Sequence, residues 1–178
     1  EAAVTDKSLI ICVVPSHTVR GVIASAASHV SSEATVLCGT KGLEEESLKT
    51  MGEVLVEIFG DPRKQRHAFL SGPTFAIEVA RGLPAAVTVA ACVEEIARDV
   101  QETMSTQNFR VYTSTDIVGV QMGGVIKNII AIAAGISDGL NLGHNARAAL
   151  STRGLAEMTR LAVRMGADSM TLAGLPGL

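Results

Sequence analysis

Five short apolar runs, "LIICVV", "ATVLC", "HAFLSGP", "AAVTVAA" and "FRVYTS", recur up to about residue 115, and helical patterning fills the gaps between them. Strands of this length alternating with helices can bury their apolar faces only in an α/β arrangement with a largely parallel sheet. The first run, residues 9–14, is continuous rather than alternating, which predicts a strand buried on both faces. Residues 18–30 read as a helix and residues 34–38 as the second strand. In "GTKGLEEES", Gly39 and Gly42 open a turn. Glu44, Glu45 and Glu46 then suit the first turn of a helix that runs to about Phe59, where carboxylates meet the positive end of the helix dipole. "GDPRKQ" reads as a loop. The third strand leads into a short helix in "TFAIEVARG", and the last two strands flank a charged helix over residues 93–105.

After Asp116 the pattern changes. Two long helical stretches follow, about residues 116–139 and 145–165, with no further strand candidate. Residues 1–115 are therefore expected to form an α/β domain, and residues 116–178 the start of an all-α domain.

Composition excludes several roles. A net charge of −3 and a pI near 5.8 leave no basic face for nucleic acid and no polybasic run for an anionic membrane. Hydrophobic segments broken by Gly, Ser and charge are expected to be too short to span a bilayer. Cys12, Cys38 and Cys92 are far apart in sequence and lack CxxC spacing, so they read as buried thiols in a reducing compartment. No metal site is expected. The chain starts at Glu1 and stops at "AGLPGL", and it reads as cut at both ends.

Ligands of doubly wound sheets sit beyond the carboxyl ends of the strands. Three loops there, "PSH", "GTKG" and "SGPT", combine residues that let backbone amides approach a ligand with the charge of Lys41. Each alone is an ordinary turn; three in succession favour a ligand, an anionic one. The second helical region contains "VQMGGVIKNIIAIAAG", where Lys127 is one turn from Gly123, Gly124, Ile130 and Ala131. Two readings of Lys127 stand. It can snorkel from a packed helix to water, or it can serve as an acid–base group. The second requires its pKa to fall from about 10.4 to nearer 7–8, through desolvation and a second cation. Lys41 supplies that cation if the loops face this helix. Gln121 and Asn128 are nearby polar groups.

The segments "TKGLE", "LSGPTFAIEVARGLPAAV", "GVQMGGVIKNIIAIAAGISDGL" and "NARAALSTRGLAEM" resemble the NAD(P)-dependent glycerol-3-phosphate dehydrogenases of bacterial and plastid type, in the right order and over almost the whole chain. The resemblance implies an incomplete Rossmann domain followed by an incomplete helical substrate domain. The family's GxGxxG unit would precede this chain, and its Gly-Asp and Ser-Arg-Asn elements would follow. Pro176, where a small residue is expected, and His144 are minor departures.

By that resemblance Lys127 is the catalytic lysine, exchanging a proton with the substrate oxygen during hydride transfer between NAD or NADP and the pair dihydroxyacetone phosphate/glycerol 3-phosphate. Lys41 lies near both cofactor and substrate. Gly72 and Thr74 contact substrate, Ala76 contacts the cofactor through its backbone, and Pro15 and Ser16 approach the nicotinamide half. Asn128 either orients Lys127 or a substrate oxygen, or is a helix-packing amide. The glycines beside Lys127 would clear space for substrate and nicotinamide. Arg147 and Arg153 are read as partners of Glu157 or of helix-end carboxylates, and Asp138 as structural. A homodimer in the cytoplasm is implied for the full-length protein, with a plastid left open. The alternatives are a β-hydroxyacid dehydrogenase, which "GPTFA" and "NARAAL" argue against, and a fragment unable to close the cofactor site by itself.

Overall fold

The computed structural model describes residues 2–61 and 66–177. Along the chain run β1 (Leu9–Cys12), α1 (Ser16–Ala26), β2 (Thr35–Cys38), α2 (Met51–Phe59), β3 (His67–Ser71), α3 (Ala76–Ala80), β4 (Ala85–Ala91), α4 (Glu94–Met104), β5 (Phe109–Ser114), α5 (Ile117–Gly139), α6 (Gly143–Arg164) and α7 (Ser169–Leu172). Short 3₁₀ turns at Ala27–His29 and Leu175–Gly177 complete the described elements. The five strands make one sheet in the order β1-β2-β3-β4-β5. No strand follows β5 among the described residues.

Period-2 alternation sends the two faces of the sheet into separate cores. Val36, Cys38 and Phe69 meet Val19 and Ile23 of α1 and Val54 and Leu55 of α2. Leu37, Ala68, Val87, Val89 and Val111 meet Ile96, Ala97 and Val100 of α4 on the other side. A third core joins Met122 and Ile126 of α5 to Met158 and Ala162 of α6 and Leu172 of α7.

Several local expectations need correction. β1 is an edge strand that pairs with β2, so Ile11 is 51% and Val13 71% exposed; a continuous apolar run did not mean two buried faces. β3 and β4 are antiparallel within the otherwise parallel sheet. Only the five-residue α3 interrupts the loop that joins them, so the chain returns from the same end of the sheet instead of crossing over it. Glu44 does not start a helix. Residues 43–50 form a loop closed by a Leu43–Thr50 bridge, and α2 begins after Thr50. There the Thr50 hydroxyl accepts from the Glu53 amide while Glu53 accepts from the Thr50 amide, a capping box visible as "TMGE".

The first helix begins at Ser16, two residues earlier than read, and gives way to the 3₁₀ turn after Ala26. The loop read in "GDPRKQ" lies mostly at 62–65, outside the described residues. Cys12 and Cys38, distant in sequence, are buried register partners, whereas Cys92 is exposed. Finally, α5 is long and apolar enough to cross a membrane by length and composition, against the expectation that no segment is. Its first half packs on β3 and the Leu175–Gly177 turn.

His67 is fully buried against Phe59, with ring centroids 5.5 Å apart. Among the described residues neither ring nitrogen has a hydrogen-bond partner. Burial penalises the imidazolium and lowers its pKa to about 4. The unfolded chain, titrating near 6.5, then binds the proton first. His67 therefore leaves stability untouched above about pH 6.5 and lowers it as pH falls toward about 4. Between about pH 7.5 and about pH 4 the loss is on the order of 3 kcal/mol. Urea titrations of wild type and His67→Leu should show this loss in the difference between the two pH profiles. The variant should be at least as stable at neutral pH, because two unsatisfied polar atoms are gone.

Candidate active site

The carboxyl ends of β2 and β3 and the middle of α5 converge on one cavity of about 750 Å³. Its lining includes Lys41, Thr74, Phe75, Lys127, Asn128 and Arg147. The carbonyl of Gly72 accepts from two of these lining residues, from Lys41 Nζ at 2.9 Å and from Lys127 Nζ at 3.4 Å. The second cation that the sequence reading required is therefore in place. Burial lowers the pKa of both ammoniums, and at Lys127 the neighbouring charge of Lys41 adds to it. Lowering the pKa of a lysine makes its neutral form easier to reach.

Backbone geometry explains why position 72 is a glycine. Gly72 has φ +148°, and a Cβ there would lie 2.9 Å from the Ala86 carbonyl oxygen and from Val87 Cα. A side chain would both strain the backbone and push β3 off β4.

The glycines of α5 do different work from that expected. A Cβ on Gly124 would approach Ser71 Oγ at 2.9 Å and Lys41 Cγ at 3.3 Å, and one on Gly123 would lie 2.2 Å from the Pro176 carbonyl oxygen. They admit the protein's own chain, the Lys41 stem and the turn after α7, rather than opening space for substrate and nicotinamide.

Of the residues singled out from sequence, Lys41, Thr74, Lys127 and Asn128 line the cavity, and the Gly72 carbonyl accepts from both lysines. Ser16 lies beside the Lys41 loop, where a Cβ on Gly42 would come within 2.9 Å of its hydroxyl. Pro15 precedes α1 with no side-chain cap on the helix. Ala76 opens α3, just past the cavity wall. Gln121 is engaged elsewhere, accepting from the Gly52 amide at 2.8 Å. Arg147 pairs with Asp138 at 3.2 Å and Arg153 with Glu157 at 2.9 Å, as read, yet Arg147 also lines the cavity.

The wall that sequence reading missed belongs to α6. Arg147, Ser151, Leu155 and Met158 line the cavity together, and their spacing of four, four and three is the helical repeat that marks one face. Phe75, 71% exposed at the mouth, was also missed.

Comparison with known proteins identifies the family of the chain. A family model described as NAD-dependent glycerol-3-phosphate dehydrogenase N-terminus matches residues 1–97, and one described as the C-terminus of the same family matches residues 116–178. A glycerol-3-phosphate dehydrogenase [NAD(P)+] of Anaeromyxobacter sp. (strain K) is 53% identical over 99% of this chain and 53% of its own length. That of Myxococcus xanthus is 47% identical over 100% and 53%. The crystal structure of glycerol-3-phosphate dehydrogenase from Coxiella burnetii superposes with a TM-score of 0.88 at 43% identity, over 95% of this chain and 51% of that one. The chain thus spans about half the length of the curated relatives it matches.

The two α5 glycine types predict opposite outcomes. Gly123→Ala should cost about 1–3 kcal/mol from overpacking and loosen the α7–Gly177 segment, seen as faster amide exchange there. Gly135→Ala, with nothing within 4 Å of the new Cβ, should instead stabilise by up to about 1 kcal/mol through helix propensity.

Proposed function

Because the chain belongs to the NAD-dependent glycerol-3-phosphate dehydrogenase family, we propose that the full-length protein interconverts dihydroxyacetone phosphate and sn-glycerol 3-phosphate with NAD or NADP. The observation that carries this reading is the pair of lysines that meet at one backbone carbonyl and line a cavity large enough for a small phosphorylated substrate. In this reading residues 1–115 contribute to the cofactor domain and residues 116–178 open the substrate domain.

Bound nicotinamide cofactor supplies or accepts the hydride at the substrate carbon. The residues of this chain manage the oxygen. As the carbonyl is reduced, negative charge develops on its oxygen, and Lys127 donates the proton that neutralises it. In reverse, neutral Lys127 takes the hydroxyl proton. The Lys41 ammonium stabilises the developing alkoxide electrostatically, an effect strengthened where water is excluded.

The Gly72 carbonyl aims both ammoniums and so contributes to the substrate site through its backbone. Thr74 and Asn128 offer a hydroxyl and an amide to substrate oxygens. Pro15, Ser16 and Ala76 form the cofactor side. At the start of α1, beside the Lys41 loop, no side chain caps the helix, and backbone amides at such an end would meet a polar or anionic cofactor group.

Supply of glycerol 3-phosphate for phospholipid synthesis and a cytoplasmic setting belong to the same proposal; the three free thiols suit a reducing compartment. A homodimer is the proposed assembly. The apolar stripe of Ile129, Ile132, Ile136 and Leu140 left exposed on α5 supports further burial in the complete protein.

Lys127→Ala in the full-length protein should lower kcat/KM for NAD(P)H oxidation with dihydroxyacetone phosphate by about 10²–10⁴-fold. Carbonyl reduction by wild type should decline as pH rises through the lowered Lys127 pKa, since the acid form is lost. Glycerol 3-phosphate oxidation should decline as pH falls through it. Near-normal turnover in the variant would overturn the assignment.

A further inference from the structure

Lys41 sits in a long loop between β2 and α2 that has no regular structure beyond the Leu43–Thr50 bridge. An ammonium placed beside another ammonium needs its backbone held against their repulsion. Before Lys41 the loop is tied to the end of β1: Gly39 donates its amide to the Cys12 carbonyl at 2.9 Å, and Thr40 Oγ1 donates to the Val14 carbonyl at 2.7 Å. After Lys41, Gly42 turns with φ +130° against Ser16, and the next side-chain tie is Glu44. Arg20 on α1 grips Glu44 in a two-pronged pair, Nε to Oε1 at 2.7 Å and Nη2 to Oε2 at 2.8 Å.

Glu44 is the node of the loop. Its amide donates to the Lys49 carbonyl at 2.9 Å, its own carbonyl accepts from the Leu48 amide at 2.8 Å, and its carboxylate also accepts from Ser47 Oγ. The Glu44 side chain is 16% exposed, and the Arg20 guanidinium holds the pKa of its carboxyl down to about 2. Arg20 is itself braced by Glu57 at 2.7 Å, which also takes Lys49. Paired planar hydrogen bonds of this kind fix orientation as well as distance.

We propose that Glu44 is a positioning residue for the lysine pair: gripped by Arg20, it fixes the segment after Lys41 so that the Lys41 ammonium is held at the Gly72 carbonyl beside Lys127. This role rests on the lysine pair being the reacting centre, as proposed above. It is nevertheless readable without turnover. Among the described residues, the charged side chains lining the cavity are Lys41, Lys127 and Arg147, the last paired with Asp138. Glu44 is not among them and touches no reacting atom.

Loss of Glu44 has two effects of opposite sign on Lys127. Deleting a carboxylate, by charge alone, disfavours nearby ammoniums and lowers their pKa. Releasing Lys41 removes a like charge from Lys127 and raises its pKa toward the ordinary value of about 10.4.

The test is an NMR titration of ¹³C-methylated lysines in this chain, comparing wild type, Glu44→Ala, Lys41→Met and the double variant. The expected result is an upward shift of the Lys127 titration in Glu44→Ala, in the same direction as in Lys41→Met. The double variant should show no further rise over Lys41→Met, because both changes remove the same contact. Glu44→Gln, whose amide oxygen still accepts from Arg20, should fall between Glu44→Ala and wild type. If Glu44→Ala does not give a native amide spectrum, the comparison rests on Glu44→Gln, which should still shift upward. An unchanged or lowered Lys127 titration in the folded Glu44 variant overturns the role. Failure of the dehydrogenase reading would appear separately, as near-normal turnover of Lys127→Ala.

Discussion

The Gly72 carbonyl accepts from two ammonium groups at once, and the rest of the site follows from making that arrangement tolerable. Two like charges drawn to one acceptor repel each other. Burial and that repulsion together lower the pKa at Lys127. Such a contact persists only where the backbone on every side is held. The antiparallel return of β4 walls in Gly72, the ties to Cys12, Val14 and Arg20 hold the Lys41 loop, and α5 holds Lys127.

Close approach of α5 to the sheet depends on absent side chains. Gly124 admits the Lys41 stem, and Gly123 admits the turn at Pro176. Two glycines inside a helix cost about 1 kcal/mol each relative to alanine, and the contacts they permit offset that cost. Asp116 adds a polar tie at the same end. It caps the Gly119 amide and accepts from the Asp168 amide, each through a different carboxylate oxygen. One residue thus starts α5 and fastens α7 to it.

Much of this was legible in the sequence, and the parts that were not have identifiable causes. β4 and β5 lie where their β-branched and aromatic runs placed them, and the change to helices after Asp116 is where the apolar runs stop. Lys41, Thr74, Lys127 and Asn128 were recognised by their motifs. The α6 wall was missed because its apolar and hydroxyl residues look like an ordinary packing face until α5 lies opposite. The Glu44 helix start was misread because a carboxylate before an apolar run suits either a helix dipole or an arginine, and local sequence does not contain Arg20. The exposed face of β1 was missed because a run of apolar residues does not state which strands lie beside it.

The sequence by itself determined the element order, the change of architecture near residue 115 and which side chains are candidates for the site. Those depend on residue type and short-range periodicity, which need no partner. Tertiary structure alone decided that β4 runs antiparallel, that the α5 glycines receive the chain's own turn and lysine stem, and that Lys41 and Lys127 meet at one carbonyl. The physical reason is that the electrostatics of Lys127 depend on a neighbour 86 positions away in sequence (127 − 41), and a through-space interaction acquires a value only when folding sets the distance.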